Sequence, residues 1–349
     1  MKNRVIHFCA AFALLLTCVL PRPLRAQTPP SGFSSTVVSS GWNEAVGLAF
    51  NKSGSQMFVW ERPGKVWVVE NNQRQLLLDI TEEVGGWHDH GLLGFALHPQ
   101  FDTNGYFYVF YLVNRYYLMN FGTASYNPAA NDYFSATIGR LTRYTATKVV
   151  GGGYTVDLAS RKILLGATKS TGVPSTKDSH VTGSLVFGTD GTLLLGTGDG
   201  GHGASDDFGS NPGTYYAQAL ADGIIRPQEN IGAFRAQMLS CLSGKVLRID
   251  PLTGAGVPSN PFYSAAAPDA NKSKVWALGL RQPFRMVLKP GTGSTNPADG
   301  NPGTLYIGDV GYFTWEEVDV VDRPGLNMGW PLFEGLEPYS PFVNHPMAN

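Results

Sequence analysis

Gly183-Ser-Leu-Val-Phe187, Asp190-Gly191 and Thr192-Leu-Leu-Leu195 follow one another within a single short stretch. Both apolar runs are of strand length, and the Asp-Gly pair between them suits a tight primed turn, whose positive backbone angles these residues tolerate. The stretch reads as a β-hairpin. Lys245-Val-Leu-Arg-Ile249 supplies a later strand of the same unit.

The same strand, turn, strand pattern recurs on either side. Gly47-Leu-Ala-Phe50 turns at Ser53-Gly54 into Met57-Phe-Val-Trp60, with Lys65-Val-Trp-Val-Val69 after it. Gly94-Phe-Ala-Leu97 runs through His98 to Gly105 into Tyr106-Phe-Tyr-Val-Phe-Tyr111, and Arg285-Met-Val-Leu288 leads through a Gly- and Pro-rich excursion into Thr304-Leu-Tyr-Ile307 and Glu317-Val-Asp-Val-Val321. Such β-branched and aromatic runs, punctuated by turn residues, argue against helices. Repetition of one small sheet around an axis predicts an all-β chain of the propeller type, with about four blades. A two-sheet sandwich also accommodates the strands on pattern alone. The long connections Asn114–Ala136 and Gly200–Leu239 are where chemistry is expected, since loops of that length in a compact domain are often functional.

Composition agrees. Glycine (42) and proline (23) are abundant, while charged residues make up 15%, well below the usual quarter. The first 26 residues read as an export signal: Lys2 and Arg4, an apolar run Phe8–Leu20, and a polar stretch closing on Ala26. Residues 27–349 are then one propeller domain, periplasmic or secreted. A lipid anchor through Cys18 is the other reading of this segment. Cys9 and Cys18 leave with the signal, so Cys241 remains without a disulfide partner. Removing Lys2, Arg4, Arg22 and Arg25 takes the net charge from −1 to about −5, which argues against nucleic acid as a partner. No later run is long enough to cross a membrane.

Three groups of motifs carry a family resemblance: Gly91-Leu-Leu-Gly-Phe-Ala-Leu-His-Pro99 with Phe101 and Tyr106; Lys177-Asp-Ser-His180, Gly198-Asp199 and Gly244-Lys-Val-Leu-Arg248; and Ala277-Leu-Gly-Leu-Arg281, Gly308-Asp-Val-Gly311, Glu316-Glu-Val-Asp319 and Asn327-Met-Gly-Trp-Pro331. In this order they resemble the soluble quinoprotein glucose dehydrogenase and glucose/sorbosone dehydrogenase family. The resemblance implies a six-bladed propeller that binds pyrroloquinoline quinone and calcium near its axis and oxidises a sugar or polyol, passing electrons to an external acceptor. Because it runs only from Gly47 to Trp330, it also implies a propeller incomplete at its C-terminal end.

By the same resemblance His180 is the general base, suited by an imidazole that titrates near neutrality, and Asp199 orients it. Arg281 reaches the quinone oxygen, and the backbone carbonyls of Gly311 and Tyr312 go to calcium. Asp89 and Gln282 fall beside the cofactor and substrate, where relatives carry glutamine and asparagine; Val310 replaces another glutamine. The bland alternatives are a loop-end histidine, a turn aspartate and a surface salt bridge from Arg281. Trp87-His-Asp-His90, if extended, would put His88 and His90 on one face as ligands for a transition metal, the commoner reading being a polar loop before the strand at Leu92. Gly196-Thr-Gly-Asp-Gly-Gly201 has the spacing of a dinucleotide fingerprint but no amphipathic helix after it, so a Rossmann site is rejected. The competing function is a non-catalytic propeller binding module of the hedgehog-interacting type; no pair of carboxylates supports a glycoside hydrolase.

Overall fold

The computed structural model describes residues 29–348, so the expected export signal and its cysteines lie outside the described residues. Two compact units divide at Gly41, and all described strands belong to the second, which begins at Trp42.

That unit is a row of small antiparallel sheets. The first holds β1 (Ala45–Phe50), β2 (Met57–Glu61), β3 (Lys65–Glu70) and β4 (Gln73–Asp79) in simple order. The second is built on β5 (Leu92–Leu97), β6 (Tyr106–Leu112) and the long β7 (Thr137–Lys148), against which β8 (Tyr154–Val156), β9 (Lys162–Leu165) and β10 (Val173–Ser175) all pair. The third runs β11 (Thr182–Phe187), β12 (Leu193–Thr197), β13 (Lys245–Ile249) and β14 (Val275–Leu278), and the fourth β15 (Pro283–Leu288), β16 (Leu305–Asp309) and β17 (Glu317–Val321). A two-stranded ribbon, β18 (Phe333–Glu334) with β19 (Glu337–Pro338), follows. The described residues thus form four blades of a propeller, as the recurring unit predicts, and the sandwich is excluded. The longest described α-helices have six residues, and no described helix is long and apolar enough to cross a membrane.

Strand alternation explains the stacking. Successive side chains of a strand point to opposite faces, and on β6 Phe107, Val109 and Tyr111 join the core shared with the first blade. Tyr108, Phe110 and Leu112, between them, join the core shared with the third. β12 repeats the division, sending Leu193 and Leu195 toward the second blade and Leu194 toward the fourth. The outer blades lack one such neighbour: Leu48 and Phe50 of the first, and Val287, Val318 and Val320 of the fourth, are exposed.

All four inner strands, β1, β5, β11 and β15, carry a register shift near their starts. A bulge there bends the strand, and glycine permits close approach: a Cβ on Gly94 would lie 2.7 Å from the carbonyl oxygen of Gly183, and one on Gly183 2.4 Å from that of Pro283. Adjacent inner strands therefore touch backbone to backbone, which draws the following loops to one place.

The hairpin at Asp190-Gly191 forms as predicted, and Asp190 does more than turn the chain. Its carboxylate accepts from Thr192 and, at 2.6 Å, from the wholly buried Arg248, whose other donors go to Thr192, Ser259, Asn260 and the Pro297 carbonyl. Removing one partner of a buried ion pair strands the other charge. Asp190→Ala should cost about 3–5 kcal/mol in urea unfolding; a loss under about 1 kcal/mol would show that Arg248 does not need its partner.

Candidate active site

The chemistry-bearing loops follow the inner ends of the third and fourth blades. His180 precedes β11 with a left-handed backbone (φ 56°), which a residue other than glycine adopts at a cost, and its carbonyl accepts Gly200 N–H at 2.8 Å. Asp199 N–H donates to the Arg281 carbonyl at 2.8 Å, so the loops after β10, β12 and β14 are laced together by main chain alone.

His180 and Asp199 meet. Nδ1 of His180 lies 3.2 Å from Oδ1 of Asp199, and because a carboxylate only accepts, Nδ1 is the donor, so that in the neutral ring the lone pair falls on Nε2. No described residue bonds that Nε2. The buried Asp199 also accepts Gly201 N–H at 2.8 Å and, through Oδ2, the indole N–H of Trp330 at 2.7 Å. Burial works to raise this carboxyl, but the His180 hydrogen bond and charge, the Arg281 charge and the Gly201 N–H outweigh it and hold Asp199 below its ordinary value. Asp199 is thus both the turn residue and the imidazole's partner.

Arg281 is buried rather than on the surface, and it forms no ion pair with a described carboxylate. Its guanidinium donates to the carbonyls of Val310 (3.0 Å), Gly311 (2.7 Å) and Gly203 (3.1 Å), between the rings of Tyr312 and Trp330 at 5.2 and 5.5 Å. Its Nε has no partner. A buried cation without a counter-ion, flanked by aromatic rings and close enough to lower Asp199, fits a flat anionic or electron-rich ligand.

The calcium expectation fares differently. The Gly311 carbonyl already holds the Arg281 guanidinium, and the nearest acids, Glu316 and Glu334, accept backbone N–H groups of the Gly311–Trp315 loop. No group of three or more His, Cys, Asp or Glu side chains among the described residues converges as a metal site. The residues as placed do not fit a calcium ion, which would share an oxygen with a guanidinium.

Gln282 packs beneath this cluster, its Oε1 buried beside Gly198 and the His180 main chain, and Asp89 stands apart from it. Gln282 turns back into the blade, its amide donating to the Thr182 carbonyl at 2.9 Å, and Asp89 is exposed beside His88. The stretch Trp87–His90 is not extended, because His88 is left-handed (φ 49°); its two rings do not converge as ligands. His88 Nδ1 lies 3.2 Å from the Asp178 carbonyl and His90 Nε2 3.1 Å from that of Lys177, so the loop clasps the segment leading to His180. Burial pushes His90 down to about 4, leaving it neutral. After Gly196–Gly201 the next helix begins only at Tyr216, so no Rossmann turn forms.

The inner loops of the blades thus converge on a histidine–carboxylate pair and an arginine without a counter-ion. Residues 42–346 match the family described as Glucose / Sorbosone dehydrogenase, and the chain belongs to that family. It is 26% identical to the HIPL2 protein of Arabidopsis thaliana over 84% of this chain and 42% of that protein. Quinoprotein glucose dehydrogenase B of Acinetobacter calcoaceticus is 27% identical over 89% of this chain and 55% of that protein, and human Hedgehog-interacting protein 29% over 72% and 31%. The chain therefore spans about half, or less, of each of these relatives. The PQQ-bound aldose sugar dehydrogenase of Streptomyces coelicolor shares the fold, with a TM-score of 0.58 at 21% identity over 87% of this chain and 67% of that one.

Several site residues escape sequence reasoning. Trp330 and Asp309 lie inside quoted motifs, yet nothing in a motif says that Trp330 bonds Asp199 or that Asp309 accepts both Arg281 N–H (2.9 Å) and Gln282 N–H (2.5 Å). Buried Arg235, which donates to the carbonyls of Asp199 and Gly200, left no signal at all. Burial drives Asp309 well above the carboxylate range, and burial with the Glu317 charge pushes nearby Asp319 up to about 7. With an unfolded value near 4, Asp319 binds a proton on folding between about pH 4 and pH 7, so stability falls across that window as pH rises. Asp319→Asn should raise the melting temperature more at pH 8 than at pH 5; an equal shift at both would contradict the assignment.

Proposed function

We propose that this chain carries the proton-transfer and anion-binding half of a quinone-dependent dehydrogenase acting on an aldose or related polyol. One observation supports the reading above others: an ionised carboxylate faces Nδ1 of His180, which assigns the lone pair of the neutral ring to Nε2. Nε2 takes the hydroxyl proton of the sugar as the C–H bond breaks. Asp199 remains ionised and stabilises the imidazolium that results, while Trp330 and Gly201 hold its oxygens in place. Arg281 meets developing negative charge with a fixed positive one that has no competing counter-ion. Bound pyrroloquinoline quinone would supply the two-electron acceptor, with Arg281, Tyr312 and Trp330 as the residues to hold it, and an external acceptor would reoxidise it. An exported location belongs to the same proposal.

A binding module without catalysis is the second reading, favoured by the exposed Asp89, the inward-turned Gln282 and the apolar Val310, which leave fewer polar groups for a sugar. Quinone titration of the purified chain, with and without chelator, separates the cases. The donor set favours binding that chelator does not abolish; abolition would restore calcium to the site, and no binding in either arm would favour the module. With quinone and sugar present, His180→Gln should lower turnover by about two to four powers of ten with little change in quinone affinity. Parental turnover in that variant would remove His180 from the role of base.

A further inference from the structure

Glu334 makes an unusual set of contacts. It is buried, at the start of the ribbon that follows Trp330-Pro331, and its Oε1 accepts four consecutive backbone N–H groups: Tyr312 at 2.7 Å, Phe313 at 2.8 Å, Thr314 at 2.9 Å and Trp315 at 3.3 Å. Its Oε2 is buried without a partner. No lysine, arginine or histidine pairs with it among the described residues. Successive N–H groups that converge on one point form a concavity for an anion. Here the anion comes from a residue about twenty positions on in the same chain.

The same loop faces Arg281 from its other side. Just before the four donors, the carbonyls of Val310 and Gly311 accept the guanidinium, and the ring of Tyr312 flanks it. Whatever fixes the N–H groups of residues 312–315 also fixes those carbonyls. We propose that the Gly311–Trp315 loop is an anion receptor whose resident ligand is the Glu334 carboxylate, and that Glu334 is thereby a positioning residue for Arg281, which it never touches. The positioning role in catalysis rests on the function proposed above; the receptor does not.

Burial works to raise the Glu334 carboxyl, but the four N–H groups outweigh it and leave it below its ordinary value. A depressed carboxyl contributes stability that is present above its unfolded value, near 4, and lost as pH falls through the folded one. Asp206, in contact with the Tyr339 hydroxyl, and Glu316 and Glu317, which accept the N–H groups of Gly311 and Gly335, are the other charged groups packed around the loop, with Arg281 as the cation.

The test is replacement of the internal ligand. Glu334→Ala should lower the melting temperature by about 5 °C or more, and formate should restore it saturably, while formamide, of the same size without the charge, should not. Equal recovery with both would mean space-filling, and no recovery with either would mean that the loop has no affinity for an anion; each overturns the proposal. If the alanine variant does not fold, Glu334→Gln, which keeps the shape and removes the charge, should fold with a melting temperature several degrees below the parent's. A melting temperature equal to the parent's would overturn it. Formate rescue in a chain whose parent binds no quinone would leave the receptor standing and remove the catalytic reading alone, whereas rescued folding with quinone affinity unaltered in the formate-free variant would remove the positioning of Arg281.

Discussion

A strand that is apolar on both faces has to be covered on both. In β6 and β12 consecutive side chains are buried without a solvent-facing alternate, so neither sheet is stable alone and each requires a neighbour on either side. Stacking of blades follows from that requirement, and so does the placing of the functional loops. Once sheets stack face to face, their inner strands are forced together, and the backbone contacts at Gly94, Gly183 and Pro283 are where the forcing is most acute. The loops that leave these points have no choice but to converge.

What fixes the converged loops is less a matter of ion pairs than of carboxylates that hold main chain. Asp199 accepts Gly201 N–H and Glu334 accepts those of residues 312–315, while Asp309, which burial drives well above the carboxylate range, accepts Arg281 and Gln282 N–H as a buried acid. A carboxylate bound to N–H groups is satisfied without a cation, and this division of labour leaves Arg281 without a counter-ion. Other buried cations divide between the two arrangements: Arg248 pairs with Asp190 and Arg140 with Glu83, while Lys245 and Arg235 are held, like Arg281, mainly by main-chain carbonyls.

The four blades were legible because strand runs and turn residues alternate along the sequence, and a hairpin is a local object. β4, which begins Gln-Arg-Gln, and the short β8, β9 and β10 gave too little apolar pattern to be read, and β14 was hidden in a motif valued for Arg281. For the site, His180 and Asp199 could be paired only through resemblance to a family, because nothing local links residues 19 apart across two strands. Trp330 and Asp199 stand 131 positions apart. The calcium expectation meets a related obstacle at Gly311: a carbonyl's availability depends on which side chain reaches it, and Arg281 reaches Gly311 from another loop.

The left-handed backbone at His180 has a further implication. Most side chains resist that conformation by on the order of 1 kcal/mol, and glycine does not. A sequence optimised for stability alone would place glycine at 180 and gain by it; the imidazole occupies a position that folding would sooner give away. Any programme of thermostabilisation guided by backbone preference would therefore choose this position early, and would remove the proposed base along with the strain.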